Sequence, residues 1–214
     1  MTSRIIALTI DAHDPAALAE FWAALLGPDP GFALRFQQTD LPKAGLNQAH
    51  FDTTTTSAEH QQQVVEQALA LGAHHLDVGQ TGDEGHVVLA DPEGNEFCVV
   101  EPDNGFLAGT PRIGALSCDG SQAVGHFWSA ALGWPLVWDQ DEETAIQSPD
   151  GGSKISWGGP PFRAKTGRNR LRLELVADDL TSELARLLSL GATRLAGEGQ
   201  LADPDGNEFS LRQT

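Results

Sequence analysis

The same set of segments occurs twice in this sequence, in the same order, and this repeat limits the possible folds more than any other feature. Three pairs of segments recur: LADPEGNEFCV (89–99) with LADPDGNEFSL (201–211), ALAEFWAALLG (17–27) with AVGHFWSAALG (123–133), and AGLNQAHFD (44–52) with TGRNRLRLE (166–174). The segment between the copies, PDNGFLAGTPR (102–112), is rich in Gly, Pro and Asn, which is typical of a linker. We therefore predict two homologous domains, 1–102 and 112–214, each folding as its own curled sheet.

Each copy has the pattern of an α+β unit, in which a strand is followed by a helix and then by several strands. In the first copy, Asp14 suits the cap of a helix, Pro15 its first turn and Gly27 its end. Apolar residues at helical spacing predict further helices over about 58–71, 122–132 and 180–190. Short connections between the strands favour mixed sheets with helices on the outer face, and the Asp-Pro-x-Gly segments are typical turns.

Composition excludes several classes of function. The chain has 214 residues and a formal net charge of -17, which disfavours binding to nucleic acid or to anionic membrane surfaces. No apolar run is long enough to span a bilayer, and the N-terminal MTSRIIALTIDAHD lacks the pattern of a signal peptide. The two cysteines, Cys98 and Cys118, form no disulfide framework, so we expect a cytoplasmic protein. A monomer and a homodimer both agree with these observations.

The motifs together resemble the glyoxalase/bleomycin-resistance superfamily, also called the vicinal oxygen chelate superfamily, and its glyoxalase-like domain branch in particular. In each copy a helix with EFW or HFW ends in LG, a second helix ends in LGA, and DP-x-GNEF precedes the closing strand. The resemblance implies βαβββ motifs, two of which form a curled eight-stranded cup, so that four motifs imply two cups. It does not imply one reaction, since the family contains metal-dependent isomerases, lyases and dioxygenases as well as metal-free proteins that sequester antibiotics.

Most of the metal-ligand positions that the resemblance implies carry residues of other types. Metal-dependent members place a ligand, often His, in the first strand of each motif, and a Glu three residues beyond the Asn of DP-x-GN. These positions fall at Ile5, His50 and Cys98 in the first copy and at Ile113, Arg172 and Ser210 in the second. Because only His50 has the expected identity, we predict that the second cup binds no metal and that any reaction takes place in the first.

His50 is the candidate catalytic residue, and three polar residues are expected beside it. Side chains alternate along a strand, so His50 and Asp52 share one face, as do Glu96 and Cys98. These four residues are the predicted pocket of the first cup. They allow two interpretations: a divalent ion held by His50 with Glu96 or Asp52, or a hydrogen-bonded cluster without metal. An imidazole titrates near neutral pH, which suits proton transfer.

The second cup has a charged counterpart of this pocket. Its predicted pocket residues are Arg172, Glu174, Glu208 and Ser210. Arg172 can clamp an anionic ligand group or pair with Glu174 or Glu208. Trp157 precedes a Gly-Pro-rich loop, and it is either a pocket wall that stacks on a flat ligand or part of the core.

The two copies differ in length. Gly27 and His50 lie 23 positions apart, whereas Gly133 and Arg172 lie 39 apart. The first copy therefore lacks about one hairpin. We expect a shallower cup around His50 and a complete cup around Arg172.

Three functions agree with this sequence. The first is metal-free binding of a small, partly aromatic molecule, as in resistance or sequestration proteins, with no cofactor. The second is a glyoxalase-type lyase or isomerase that uses a divalent metal or a general base at His50. The third is a scaffold whose cups are filled by side chains and which acts through a protein partner.

Overall fold

The computed structural model describes residues 3–214 as an α+β protein with four helices and two mixed sheets. Its elements follow one another as four motifs, in each of which a strand leads to a helix and then to further strands. Motif 1 contains β1 (Arg4–Ala12), α1 (Pro15–Leu26) and β2 (Leu34–Gln38), and motif 2 contains β3 (Ala49–Thr53), α2 (Ala58–Ala70), β4 (His74–His75), β5 (Val87–Ala90) and β6 (Glu96–Val99). Motif 3 contains β7 (Ile113–Cys118), α3 (Gln122–Leu132), β8 (Leu136–Gln140), β9 (Glu143–Gln147) and β10 (Lys154–Trp157), and motif 4 contains β11 (Leu171–Ala177), α4 (Leu180–Leu190), β12 (Thr193–Arg194), β13 (Gln200–Ala202) and β14 (Glu208–Gln213).

The helices begin where the local sequence predicts. The Asp14 carboxylate accepts a hydrogen bond from the backbone N–H of Ala17 at 3.0 Å, which caps α1. Ser57, Ser121 and Asp179 cap the other three helices in the same way. The predicted positions of all four helices are confirmed.

The strands form a six-stranded sheet, here called the short sheet, and an eight-stranded sheet, here called the long sheet. The strand order is β12-β13-β14-β11-β1-β2 in the short sheet and β4-β5-β6-β3-β7-β10-β9-β8 in the long sheet. The helices pack on one face of the sheets, where a single core contains residues from Leu8 to Leu211. The opposite face of each sheet is the one on which a ligand site was expected.

The prediction that each half folds as its own sheet is wrong. Motif 1 pairs with motif 4 through antiparallel strands β1 and β11, and motif 2 pairs with motif 3 through β3 and β7. The repeat identifies homologous motifs, but it carries no information about which copies pair. Motifs 2 and 3 are consecutive in the chain, and the linker between them is long enough to bring β7 beside β3. The outer motifs then pair with each other, so both halves contribute to both sheets.

The predicted absence of one hairpin from the first copy is confirmed, but the sheet that it shortens is not the one around His50. β2 runs parallel to β1 as β10 runs parallel to β7, and motif 1 has no counterpart of strands β8 and β9. Because motif 1 pairs with motif 4, the shortened sheet carries Arg172 and the complete sheet carries His50. The expected depths of the two cups are therefore reversed.

The linker covers part of the long sheet. It forms a short 3-10 turn, Gly105–Leu107, across the face opposite the helices. Leu107 is buried there against Val88, Cys98 and Ala115, in a small second core. The Lys154 ammonium donates a hydrogen bond to the carbonyl of Phe106 and lies 4.6 Å from the centre of its ring, which holds the turn against the sheet.

The Asp-Pro-x-Gly segments are turns, and each one anchors a helix. Asp91 accepts a hydrogen bond from the indole N–H of Trp22 at 3.1 Å, and Asp203 accepts one from Trp128 at the same distance. Both tryptophans are buried, as expected for residues that pack a helix on a sheet. Within residues 3–214, no helix has both the length and the apolar character needed to cross a membrane.

Candidate functional site

One row of side chains crosses the long sheet on the face opposite the helices. Strand register places His50 opposite Ser117, Ser117 opposite Ser156, Ser156 opposite Ala145, and Ala145 opposite Trp138. Adjacent strands are about 4.8 Å apart, so the row extends over roughly 19 Å. Small side chains occupy its middle and large ones its two ends, which produces a depression across five strands.

A cavity of about 700 Å³ lies over this row. Phe106 from the linker contributes to one wall, and Trp138 and Glu143 from the β8–β9 hairpin contribute to another. The remaining lining residues are Cys118, Asp119, Thr144, Trp157 and Arg163, with the loop 158–161. The volume lies within the range of sites for small molecules, about 300–1,000 Å³.

The His50 end of the row is a hydrogen-bonded cluster. His50 Nε2 lies 3.4 Å from Asp52 Oδ1, and the Ser117 hydroxyl donates to Asp52 Oδ2. The Ser117 and Ser156 hydroxyl oxygens are 3.2 Å apart. Burial raises the pKa of Asp52, but hydrogen bonds from His50, Ser117 and Cys98, with the charge of His50, together bring that pKa below its ordinary value. Asp52 is therefore a carboxylate that orients the two groups facing the cavity.

The donors in this cluster do not fit the metal centre that the resemblance implies. One donor atom from each of His50, Asp52 and Cys98 lies within 4.8 Å of the others. Burial raises the pKa of the Cys98 thiol and the Asp52 carboxylate raises it further, so a metal ion bound there would have to displace the thiol proton. Motif 3 contributes Ser117 and Ser156 to this face where a metal centre needs imidazole or carboxylate groups.

The loop after β10 forms another side of the cavity. The Asp119 carboxylate accepts hydrogen bonds from the backbone N–H and from Nε of Arg163, both at 2.9 Å. The backbone N–H of Gly159 donates to Gly120 at 3.1 Å, and a cis peptide bond joins Pro160 and Pro161. The hydrogen bonds to Asp119 and Gly120 hold the loop beside the cavity.

Two predicted pocket residues, Glu96 and Glu208, do not line the cavity of the long sheet. Glu96 pairs with Lys43 at 2.5 Å and accepts a hydrogen bond from the backbone N–H of Asn47 at 3.1 Å. Glu208 makes the equivalent contacts with Lys165 at 2.6 Å and with the loop before β11. Each Glu therefore anchors the loop that precedes the first strand of motif 2 or motif 4.

The other charged candidates, Arg172 and Glu174, each form an ion pair on the short sheet, but not with each other. Arg172 donates two hydrogen bonds to Asp11, at 2.6 and 2.7 Å, so its partner is neither Glu174 nor Glu208. Glu174 accepts hydrogen bonds from Thr9 and from Arg35, the latter at 2.6 Å. Ser210, on β14, lies in register with Glu174 on β11. Arg172 is thus engaged within the protein.

A shallow groove remains at one end of the short sheet. It is lined in part by three exposed arginines, Arg4, Arg35 and Arg212. Asp178 pairs with the first of these, and Glu174 with the other two.

The structure thus brings together some of the predicted residues and adds others. His50 and Trp157 line the cavity, while Asp52 and Cys98 lie in the cluster beneath it. Trp157 is 2% exposed and packs in the core, which agrees with the core interpretation of this residue. Sequence reasoning missed Phe106, Ser117, Trp138, Glu143, Ser156 and Arg163, because they come from motif 3 and the linker and were not expected near His50.

The glyoxalase-like domain family matches this sequence twice, over residues 7–100 and 115–212. The chain belongs to the glyoxalase-like domain family. Glyoxalase I from Zea mays has a similar structure, with a TM-score of 0.66 and 13% identity, over 98% of this chain and 92% of that one. A putative dioxygenase from Bacillus subtilis has a TM-score of 0.59 and 16% identity, over 99% of this chain and 85% of that one. At these identities the likeness establishes the fold, which agrees with tandem domains of the vicinal oxygen chelate superfamily. No curated protein matches the sequence significantly.

Proposed function

We propose that this protein binds a small, partly aromatic molecule in the cavity of the long sheet, without a metal ion, as resistance or sequestration proteins do. The observation that carries the proposal is the open row from His50 to Trp138 beneath about 700 Å³ of space. Aromatic walls at Phe106 and Trp138 suit a flat ligand, and two serine hydroxyls beneath it can fix its orientation.

The open cavity favours a binder over the scaffold hypothesis, in which side chains fill both cups. The net charge of -17 favours a small molecule over nucleic acid. We also propose a cytoplasmic location, where a reducing environment keeps Cys98 and Cys118 as the free thiols seen in the structure.

A screen of aromatic compounds by quenching of tryptophan fluorescence tests this proposal. Trp138 is 42% exposed beside the cavity and should report on binding, so Trp138→Phe should reduce the quenching. We expect chelator to leave the binding of these compounds unchanged. Elemental analysis should find far less than one metal ion per chain. His50→Ala should weaken binding about fivefold to thirtyfold, which corresponds to the loss of one hydrogen bond. The proposal is contradicted if no compound binds. It is also contradicted if the wild-type chain holds one metal ion that His50→Ala lacks.

A second candidate is a lyase or isomerase that uses His50 as a general base. The specific observation in its favour is the Asp52 carboxylate 3.4 Å from His50 Nε2, because such a partner orients an imidazole for proton transfer. Turnover of a glyoxalase substrate by the purified chain, lost in His50→Ala and in Asp52→Asn, would favour this candidate over binding alone.

A further inference from the structure

We infer that the ligand of the long-sheet cavity is an aromatic cation whose positive charge lies between the Glu143 carboxylate and the Trp138 ring. The inference rests on the proposed function and narrows it to one class of ligand.

The charge around the cavity favours a cation. Glu143 is exposed at the wall, and within the described residues it has no ion-pair partner. Arg163, the one arginine of the lining, has its Nε 2.9 Å from the Asp119 carboxylate and is neutralised by it. The Asp52 carboxylate beneath the row is a further negative charge. The cavity is therefore net negative, within a chain whose net charge is already -17.

An exposed tryptophan lies at the cavity wall. Trp138 is 42% exposed, whereas Trp22, Trp128 and Trp157 are each 2–3% exposed. A ring that is half open to a cavity has a face available for a ligand. Cations bind to the faces of tryptophan rings, and the contact strengthens when water is excluded.

The Trp138 ring and the Glu143 carboxylate are neighbours on adjacent strands. Trp138 lies opposite Ala145, and Glu143 lies two residues before Ala145 on the same face of β9. Diagonal neighbours of this kind lie about 7–8 Å apart at their Cα atoms, within reach of long side chains. A cation between them would contact both, while its aromatic part would lie over the serines.

The nearby cations argue against an anionic ligand. The Lys154 ammonium donates a hydrogen bond to the carbonyl of Phe106, and Arg163 is held by Asp119. An anion would have to displace one of these contacts and also approach Glu143. A cation requires neither change.

Two acridines of similar size and opposite charge provide the test: proflavine, a cation at neutral pH, and acridine-9-carboxylate, an anion. Calorimetric titration of the wild-type chain should give at least about tenfold tighter binding of proflavine, with the difference falling as salt is added. Glu143→Gln should weaken proflavine binding about threefold to tenfold and leave acridine-9-carboxylate unchanged or slightly tighter. Trp138→Leu should also weaken proflavine binding.

The control is Glu198→Gln, which removes the same charge from an exposed loop before β13. It should leave the ratio of the two affinities unchanged. Equal binding of the two acridines, or equal effects of Glu143→Gln and Glu198→Gln, overturns the inference but leaves the proposed function standing. If neither acridine binds to the wild-type chain, the inference fails, and the proposed function fails as well if the wider aromatic screen is also negative.

Discussion

The short and long sheets use the same hydrogen bond at their centres but surround it with different side chains. In the long sheet the Ser117 hydroxyl donates to Asp52, and in the short sheet the Thr9 hydroxyl donates to Glu174. The strand beyond contributes Ser156 in the first case and Arg35 in the second. A serine leaves space above the sheet, whereas Arg35 extends over it and pairs with Glu174.

The opposite side of the same bond differs in the same way. His50 lies opposite Ser117, while Arg172 lies opposite Thr9 and is held by Asp11. The short sheet also lacks the hairpin that brings Trp138 to the long sheet. One pair of motifs has therefore become closed by ion pairs, and the other has kept small residues beneath a cavity. The ion pairs of the short sheet occupy the space above it. The small polar groups of the long sheet leave that space open, which agrees with the proposal that they face a ligand.

The largest effect is expected from breaking the ion pair of the short sheet. The side chains of Arg172 and Asp11 are 6% and 7% exposed. Arg172→Ala leaves the Asp11 carboxylate buried without its partner, so the free energy of unfolding should fall by about 3–5 kcal/mol in urea denaturation. The paired change Arg172→Met with Asp11→Leu should recover most of this loss. A fall below about 1 kcal/mol in Arg172→Ala would show that the pair has no structural role.

The linker should matter nearly as much to the long sheet. Leu107 is 6% exposed and packs on the long sheet, on the face opposite the helices. In the short sheet, ion pairs cover the corresponding face. Leu107→Ala should lower the free energy of unfolding by about 2–3 kcal/mol, because it leaves a cavity in the small second core. Leu41→Ala is a suitable control, since Leu41 is 62% exposed. Equal stability of the two variants would mean that the linker only connects the motifs.

The buried aspartates of the two Asp-Pro-x-Gly turns, Asp91 and Asp203, should make the stability of the protein depend on pH. Burial raises the pKa of Asp203 to about 6, against hydrogen bonds from Asn207 and Trp128. The folded state thus holds the proton more tightly than the unfolded state, so the contribution of Asp203 to stability is greatest below pH 4 and is lost as pH rises to about 6. Asp203→Asn removes this titration, and its stability relative to wild type should improve by about 2–3 kcal/mol between pH 4 and pH 7. Asp91→Asn should change in the same direction, because burial also raises the pKa of Asp91. A constant difference across this range contradicts the assignment.

The sequence predicts the elements of this fold well because their signals are local. The cap at Asp14, the helices and the Asp-Pro-x-Gly turns each depend on a few neighbouring residues. The missing hairpin also followed from a count of residues. Pairing of the motifs did not, since β3 and β7 are brought together by contacts distant in the chain.

The candidate site was only partly predictable for the same reason. His50 and Asp52 share a strand, so alternation alone placed them together. Ser117 and Ser156 have no motif of their own, and their importance appears only when β7 and β10 are placed beside β3. The hairpin that carries Trp138 was assigned to the cup around Arg172, whereas it belongs to the long sheet with His50.

The smallest effect on stability and the sharpest test of the comparison come from one exchange between the sheets. Ser156→Arg gives the long sheet the residue type that Arg35 supplies to the short sheet, and the new guanidinium can pair with Asp52 as Arg35 pairs with Glu174. Because Ser156 is partly exposed beneath the cavity, we expect the free energy of unfolding to change by less than about 1 kcal/mol. Binding of an aromatic probe such as proflavine should weaken at least about tenfold, since the arginine occupies the space above the row. Ser210→Arg, on β14 of motif 4, should leave binding unchanged because Ser210 lies in the short sheet. Unchanged binding in Ser156→Arg would place the ligand elsewhere and remove the functional distinction between the two sheets.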